Sequence, residues 1–170
     1  MNKKFITTLA IFILLIAISA TIAYFTLFKH KEKTSGKIQT EQTMVNFKIY
    51  LPSSNSIVVK EIYLQKENSE LKNIEKILEI FLSELPLKET KILGIYRDRE
   101  NVVYIDLSKN FAIPQSMREE YFMLKSLYKT LKENFPWIKD IKILIESKEI
   151  ETISGHISIA SSLKEAVEEN

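Results

Sequence analysis

The stretch Asn101–Phe111, Asn-Val-Val-Tyr-Ile-Asp-Leu-Ser-Lys-Asn-Phe, decides how the rest of the chain is arranged. Val102–Ile105 is rich in β-branched and aromatic residues, so it predicts a short strand that stops at Asp106. The following residues, up to Phe111, predict a loop that leads into the longest helix of the folded part. Strands and helices are predicted on both sides, so we expect this stretch to lie in the middle of the domain.

The residues before it predict a hairpin and then a helix. Apolar and polar residues alternate over Val45–Leu51, as in a strand with one buried face, and Ile57–Leu64 follows as a second strand after the turn Pro52–Ser56. Asn68 or Ser69 caps the helix, which Pro86 ends. Its apolar face consists of Leu71, Ile74, Leu78, Phe81 and Leu85. Lys91–Tyr96 then predicts a strand.

The residues after it predict a second helix and further strands. Ser116 and Glu119 have the spacing of a capping box, and Pro136 ends the helix. The apolar face predicted for this helix consists of Met117, Tyr121, Leu124, Tyr128, Leu131 and Phe135. The remaining predicted elements are the strand Ile141–Ile145, weaker strands at Ile150–Ile153 and His156–Ile159, and a short C-terminal helix capped by Ser162. The order β-β-α-β-β-α-β-β predicts an α+β fold, with two helices on one face of a mostly antiparallel sheet.

Composition limits the function. The chain has 170 residues and no cysteine, which excludes disulfides, thiolate metal sites, a cysteine nucleophile and a lipid-modified N-terminal cysteine. Six of the 24 basic residues precede residue 44, and residues 44–170 keep 18 basic and 20 acidic side chains, a net charge of −2. That balance argues against nucleic acid as a partner, because nucleic-acid binding requires a basic face on the domain.

The N-terminal part predicts a membrane anchor. Phe5–Phe28 is 24 uncharged residues, about 36 Å as a helix, which exceeds a hydrocarbon core of about 30 Å. Ala17–Ser19 could be a signal-peptide cleavage site, but the apolar run continues beyond it, so we favour an uncleaved signal-anchor. Lys3 and Lys4 favour an inside N-terminus and an extracytoplasmic domain. The predicted organisation is an anchor at 1–28, a polar linker at 29–43, a domain at 44–160 and a tail at 161–170.

Candidate catalytic and metal-binding residues have simpler structural interpretations. Asp106 and Ser108 lie where a strand meets a loop, and we expect their side chains to bond nearby backbone N–H groups and fix the turn. His156 is the only histidine of the domain and cannot form a three-histidine metal site. Glu119 and Glu120 both suit a helix N-terminus. We therefore expect no enzymatic activity, no metal and no cofactor.

Two aromatic residues lie off the predicted apolar face of the second helix. Phe122 and Trp137 are therefore candidates for a partner surface, because aromatic residues are enriched at contact hot spots. Packing at the edge of the core is the alternative interpretation.

Five stretches occur in order over residues 45–160: Lys48–Leu51, Leu82–Pro86, Val103–Phe111, Ser126–Leu131 with Ile141–Ile145, and Gly155–Ser158. Together they resemble the GerMN domain family of bacterial envelope and sporulation proteins. The family-motif residues expected to be structural are Asp106, Leu107, Ser108, Phe111, Thr130, Leu131, Gly155 and His156. The chain departs from the family pattern at Leu85, where glycine often precedes the proline, and at Glu146–Lys148, a hairpin that often carries glycine.

The resemblance implies a fold similar to the ring-building motif and a role without catalysis. Members are often lipoproteins, and the absence of cysteine implies a transmembrane anchor here instead. We therefore expect a membrane-anchored extracytoplasmic module that acts by self-association or by contact with other envelope proteins. An extracytoplasmic module that binds cell-wall glycan or a small ligand is the alternative.

Overall fold

The computed structural model of the chain describes residues 43–168, apart from residues 88 and 114, together with residues 18, 19, 21, 23 and 24. The chain divides between Glu41 and Gln42 into two units. In the first unit the five described residues are helical. The rest of the predicted anchor Phe5–Phe28, and all but the last residue of the predicted linker, lie outside the described residues. No helix within the described part combines the length and apolar character needed to cross a membrane.

The second unit is an α+β domain, as predicted. The strands are β1 (Met44–Pro52), β2 (Ile57–Gln65), β3 (Ile92–Arg97), β4 (Val102–Leu107), β5 (Asp140–Ile145) and β6 (Lys148–Glu149). The helices are α1 (Glu70–Glu84), α2 (Met117–Asn134) and α3 (Leu163–Glu168), with a 3₁₀ turn at Lys109–Phe111. Helix α3 lies where the sequence predicted a short C-terminal helix, and the Ser162 hydroxyl accepts the Glu165 N–H at 3.3 Å.

The strands form two sheets rather than the single, mostly antiparallel sheet that was predicted. The antiparallel pair β1–β2 stands apart, and the second sheet has the order β3-β4-β5-β6. Its central pair, β4–β5, is parallel. The prediction was wrong on this pair because α2 provides the long crossover that a parallel pair requires, and the helix returns the chain to the starting end of β4.

The central strand is longer than predicted. Strand β4 continues through Asp106 to Leu107, which pairs with Ile92 on one side and Ile145 on the other. Asp106 is therefore inside the strand and not in a loop after it. Ile105, Leu107 and Phe111 are at most 1% exposed, so this stretch lies in the core, in the middle of the domain.

The two weaker strands predicted near the C-terminus are absent. Residues 150–160 contain no strand, and the last strand is the short β6. Strand β6 pairs with β5 through a two-residue turn in which Glu146 and Ser147 both have positive φ, at 53° and 64°. This is the conformation in which hairpins usually place glycine or asparagine. Side-chain contacts hold it here, as described below.

The apolar face predicted for α2 is correct only in part. Leu124, Tyr128, Leu131 and Phe135 are buried, whereas Met117 is 61% exposed. The buried stripe instead continues backwards from Leu124 to Glu120, which is completely buried. The first turn of the helix thus carries an acidic residue that faces the interior, which is rare unless the residue is paired.

The free edge of β1 is closed by side chains of α2. The Thr130 hydroxyl accepts the Tyr50 N–H at 2.9 Å and donates to the Tyr50 carbonyl at 3.2 Å. One turn further along the helix, the Asn134 amide accepts the Lys48 N–H at 3.0 Å and donates to the Lys48 carbonyl at 2.7 Å. Two side chains at i and i+4 thus take the place of a neighbouring strand, which explains why β1–β2 is a separate sheet.

We expect Thr130→Val to destabilise the domain by about 1–3 kcal/mol, since it leaves the Tyr50 N–H without its partner while preserving side-chain shape. Urea unfolding followed by the fluorescence of Trp137, the single tryptophan, measures this. Thr130→Ser keeps the hydroxyl and is the control. Equal loss in both variants would show that the methyl group, and not the hydrogen bonds, carries the effect.

Candidate functional site

Asp106 and Ser108 connect β4 to distant parts of the chain. The Asp106 carboxylate accepts the Ser147 N–H at 2.9 Å and the Ser147 hydroxyl at 2.7 Å. The Ser108 hydroxyl accepts the Lys91 N–H at 2.9 Å, at the start of β3. Both side chains bind backbone N–H groups, but these groups are 17 and 41 residues away along the chain and not nearby as expected. The Asp106 contact fixes the β5–β6 turn.

Glu120 is the buried centre of a backbone-binding arrangement. One carboxylate oxygen accepts the N–H groups of Ile153 at 3.0 Å and Ser154 at 2.9 Å, and the other accepts the N–H of His156 at 3.1 Å. Three backbone donors thus surround one carboxylate, a geometry that satisfies a buried charge. The same contacts help to explain why residues 150–160 form a loop, because three of their N–H groups turn inward to Glu120 instead of pairing in a ladder.

Glu119 and Glu120 are adjacent in the sequence but form different hydrogen bonds. Glu119 completes the predicted capping box: its carboxylate accepts the Ser116 N–H at 2.9 Å and hydroxyl at 2.7 Å, and its own N–H donates to the Ser116 hydroxyl at 3.3 Å. Hydrogen bonds from the Ser116 hydroxyl and then from its backbone N–H lower the pKa of Glu119 below the ordinary value of 4.5.

This lowered pKa gives a pH-dependent prediction. A carboxyl whose pKa is lower in the folded state adds stability above its unfolded pKa and loses that contribution as the pH falls through the folded pKa. We expect the stability difference between the native chain and Glu119→Ala to be largest at neutral pH and to shrink below pH 4.5. Thermal unfolding from pH 7 to pH 3 measures the difference. Glu133→Ala, in the last turns of the same helix, is the control; an equal narrowing in both variants would contradict the assignment.

The other family-motif residues are also engaged within the domain. His156 contacts the Gln115 carbonyl through Nε2 at 3.0 Å. Gly155 has φ of 91°, which a side chain would strain, and its N–H donates to the Thr152 hydroxyl at 3.0 Å. The segment is therefore a structured connection held against the start of α2. Among the described residues no group of three histidine, aspartate or glutamate side chains could hold a metal ion.

The structure separates the two aromatic candidates. Trp137 packs against the core edge-to-face with Phe135, lies under the Arg97 guanidinium at 4.3 Å and donates to Glu70 at 3.2 Å. These intramolecular contacts account for Trp137 as a structural residue.

Phe122 instead lines a cleft of about 710 Å³ between the β1–β2 turn, the end of α1 and the start of α2. Its apolar walls are formed by Pro52, Leu85, Pro86, Leu87, Ile113, Phe122 and Met123. Arg118 lies at the cleft and donates to Asn55 at 2.7 Å. Ser53, Ser54, Gln115, Ser116 and Glu119 also line it, so the cleft combines apolar and polar groups that a small ligand could contact.

The structure has a second exposed apolar surface, which the sequence did not predict. The solvent-facing side of the β1–β2 hairpin exposes Met44, Val59 and Tyr63, at 58%, 52% and 65%, and Val58 on the other side is 49% exposed. We name this hairpin with its exposed residues the β1–β2 ribbon. The run Ile57-Val58-Val59 does not alternate, so the sequence does not reveal that both valines reach solvent.

Comparison with known proteins agrees with this fold. The family model described as "Germane: Sporulation and spore germination" matches residues 48–151. The first GerMN domain of the sporulation protein GerM from Bacillus subtilis is 19% identical, with a TM-score of 0.52, covering 65% of this chain and 90% of that one. The tandem GerMN domains of the same protein are 20% identical, with a TM-score of 0.51, covering 69% of this chain and 47% of that one. No curated protein matches significantly. At these identities the solved structures establish similarity of fold.

Proposed function

This chain belongs to the Germane family of sporulation and spore germination domains, and from that premise we propose that it is a non-enzymatic assembly module of the bacterial envelope. In this proposal Phe5–Phe28 anchors the chain in the membrane, with the N-terminus inside and the domain outside. The domain then acts through contact with further copies or with other envelope proteins.

The exposed apolar surface of the β1–β2 ribbon is the observation that carries this proposal. Met44, Val59 and Tyr63 share the solvent-facing side of this hairpin of 22 residues and are each more than half exposed, and Val58 is about half exposed on the other side. Several exposed apolar residues on one side of a hairpin are more typical of a contact surface than a single one. A protein–protein role is therefore better supported than a solvated scaffold alone.

The carboxylates that could have served in catalysis support the non-enzymatic part of the proposal. Asp106 binds Ser147, and Glu120 binds three backbone N–H groups, so both have structural partners at hydrogen-bond distance. Loss of a measured wall-cleaving activity in Asp106→Asn or Glu119→Gln, with folding unchanged, would overturn this part.

Cross-linking of the full chain in its native membranes tests the assembly role. We expect adducts that contain a second copy or an envelope protein. In sealed inside-out membrane vesicles, we also expect the domain to be protected from added protease. Full-length protein that stays monomeric at high concentration in mild detergent, together with no adduct in membranes, would refute the proposal.

Binding of a small ligand or wall glycan is the second candidate function, and the cleft beside Phe122 favours it. Thermal unfolding of the full chain with soluble wall fragments tests it. A rise in melting temperature that disappears in Phe122→Ala, but persists in a matched variant outside the cleft such as Tyr96→Ala, would support it. No rise with any wall fraction would exclude this candidate for glycan.

A further inference from the structure

Strand β2 has an open edge whose backbone groups can be identified. The backbone N–H groups of Lys48 and Tyr50 point to α2. The backbone groups of the intervening residues of β1, such as Ile49, therefore point to β2. Ile49 pairs with Lys60 in the β1–β2 register. Even-numbered residues of β2 therefore bond to β1, and Val59, Glu61 and Tyr63 direct their N–H and C=O groups away from it. No backbone hydrogen bond to these outward groups occurs among the described residues.

This edge has few of the features that usually prevent strand pairing. The register with β1 runs without a shift from Met44 and Gln65 to Pro52 and Ile57, so there is no bulge. Strand β2 has no proline, and its charged residues are one lysine and one glutamate, adjacent at its centre. Edge strands are commonly protected by proline, bulges or several charges, and an unprotected edge accepts an extended strand.

We propose that β2 pairs with β2 of a second copy, antiparallel, across a two-fold axis at Glu61. This rests on the proposed assembly function and names its contact. In an antiparallel pair, two directly opposed residues either both direct their N–H and C=O groups toward the partner strand or both direct them away from it. A two-fold axis between two identical strands therefore passes through a residue and not between two residues. With Glu61 on the axis, Val59 of each copy lies opposite Tyr63 of the other on the solvent-facing side.

Side-chain pairing favours this register. Val59–Tyr63 is an aromatic–β-branched pair, the kind that stabilises neighbouring strands, and it forms twice. The two Glu61 carboxylates oppose each other, but Lys48 is the cross-strand neighbour of each within its own ribbon. The row Lys48–Glu61–Glu61–Lys48 therefore carries no net charge. An axis at Lys60 would instead separate Val59 from Tyr63, so it would lose both aromatic–β-branched pairs.

The size of the contact sets its expected strength. A single strand pair is smaller than the interfaces of about 1,200–2,000 Å² that hold stable complexes. We therefore expect weak pairing in dilute solution and strong pairing when tethering raises the local concentration.

Single-cysteine cross-linking of the full chain in membranes tests the register, because the native chain has no cysteine. Opposed residues on the axis have Cα atoms about 5.5 Å apart, within disulfide range. Under mild oxidation we expect Glu61→Cys to give at least ten times more disulfide dimer than Tyr96→Cys, which is on another edge strand and is also exposed. Val59→Cys mixed with Tyr63→Cys should cross-link more than either alone.

A second variant separates pairing from folding. Val59→Lys in the Glu61→Cys background places a charge at an exposed position of the edge, so we expect dimer to fall at least ten-fold with unchanged thermal unfolding. Equal cross-linking of Glu61→Cys and Tyr96→Cys would indicate random collision and overturn the inference. If lysine cross-linking detects assembly but Glu61→Cys gives no disulfide dimer, the β2 contact is refuted and the assembly function stands. If neither lysine adducts nor the disulfide dimer form, the assembly function and the β2 contact are both refuted.

Discussion

Glu120→Ala is expected to destabilise the domain by about 3–5 kcal/mol, a large fraction of the 5–15 kcal/mol that stabilises a typical domain. The substitution removes the acceptor of three backbone N–H groups, those of Ile153, Ser154 and His156. A buried donor left unsatisfied, as at Ile153, costs about 1–3 kcal/mol, and water recovers part of the cost at the part-buried Ser154 and His156 donors. Urea unfolding followed by Trp137 fluorescence gives the total loss, and hydrogen exchange gives the loss of protection at the three amides.

Two variants show whether the carboxylate acts as described. Glu120→Gln keeps the volume and one acceptor oxygen but turns an NH₂ group toward one of the donors, so an intermediate loss is expected. Glu119→Ala removes the adjacent, exposed glutamate and should cost much less. The free energy of unfolding of Glu120→Ala could instead lie within about 1 kcal/mol of the native value, with the loop amides still protected from hydrogen exchange. That result would show that the loop keeps its conformation without the carboxylate.

Asp106→Ala is expected to cost about 2–4 kcal/mol, because its carboxylate receives both the N–H and the hydroxyl of Ser147. These bonds hold Ser147 at a φ of 64°, which non-glycine residues rarely adopt. Loss of the carboxylate therefore removes two hydrogen bonds and also the restraint on the turn. The free energy of unfolding, from urea titration, is the measurement.

Ser147→Gly distinguishes these two effects. Glycine favours positive φ, but it lacks the hydroxyl that Asp106 accepts. We expect Ser147→Gly to be neutral or destabilising in the native chain and stabilising in the Asp106→Ala chain. If the effect of Ser147→Gly has the same sign and size in both backgrounds, the carboxylate and the turn are not coupled.

Much of the local structure could be predicted because it depends on nearby residues. The Ser116–Glu119 capping box, the helix ends at Pro86 and Pro136, and the strand that begins at Val102 all involve contacts within a few positions. The same local patterns carried the family resemblance, which the family model confirmed over residues 48–151.

The partner surfaces were less predictable because exposure depends on what else packs nearby. Phe122 and Trp137 both lie off the predicted apolar face of the second helix. In the structure, Arg97 and Glu70 contact Trp137, whereas Phe122 lines a cleft. Val58 and Val59 lie on opposite sides of the ribbon and are 49% and 52% exposed, so neither side of β2 is covered at these two positions. No pattern within β2 contains that information.

The sequence by itself determined the helices, the strands up to β5, the capping box of α2 and the α+β class of the domain. The tertiary structure alone decided that β4 and β5 are parallel, that Thr130 and Asn134 replace a strand beside β1, and that Glu120 binds the loop before α3. The physical reason is distance along the chain. Tyr50 and Thr130 are 80 residues apart, and Glu120 and Ile153 are 33 apart, so these bonds form only once packing has brought the segments together.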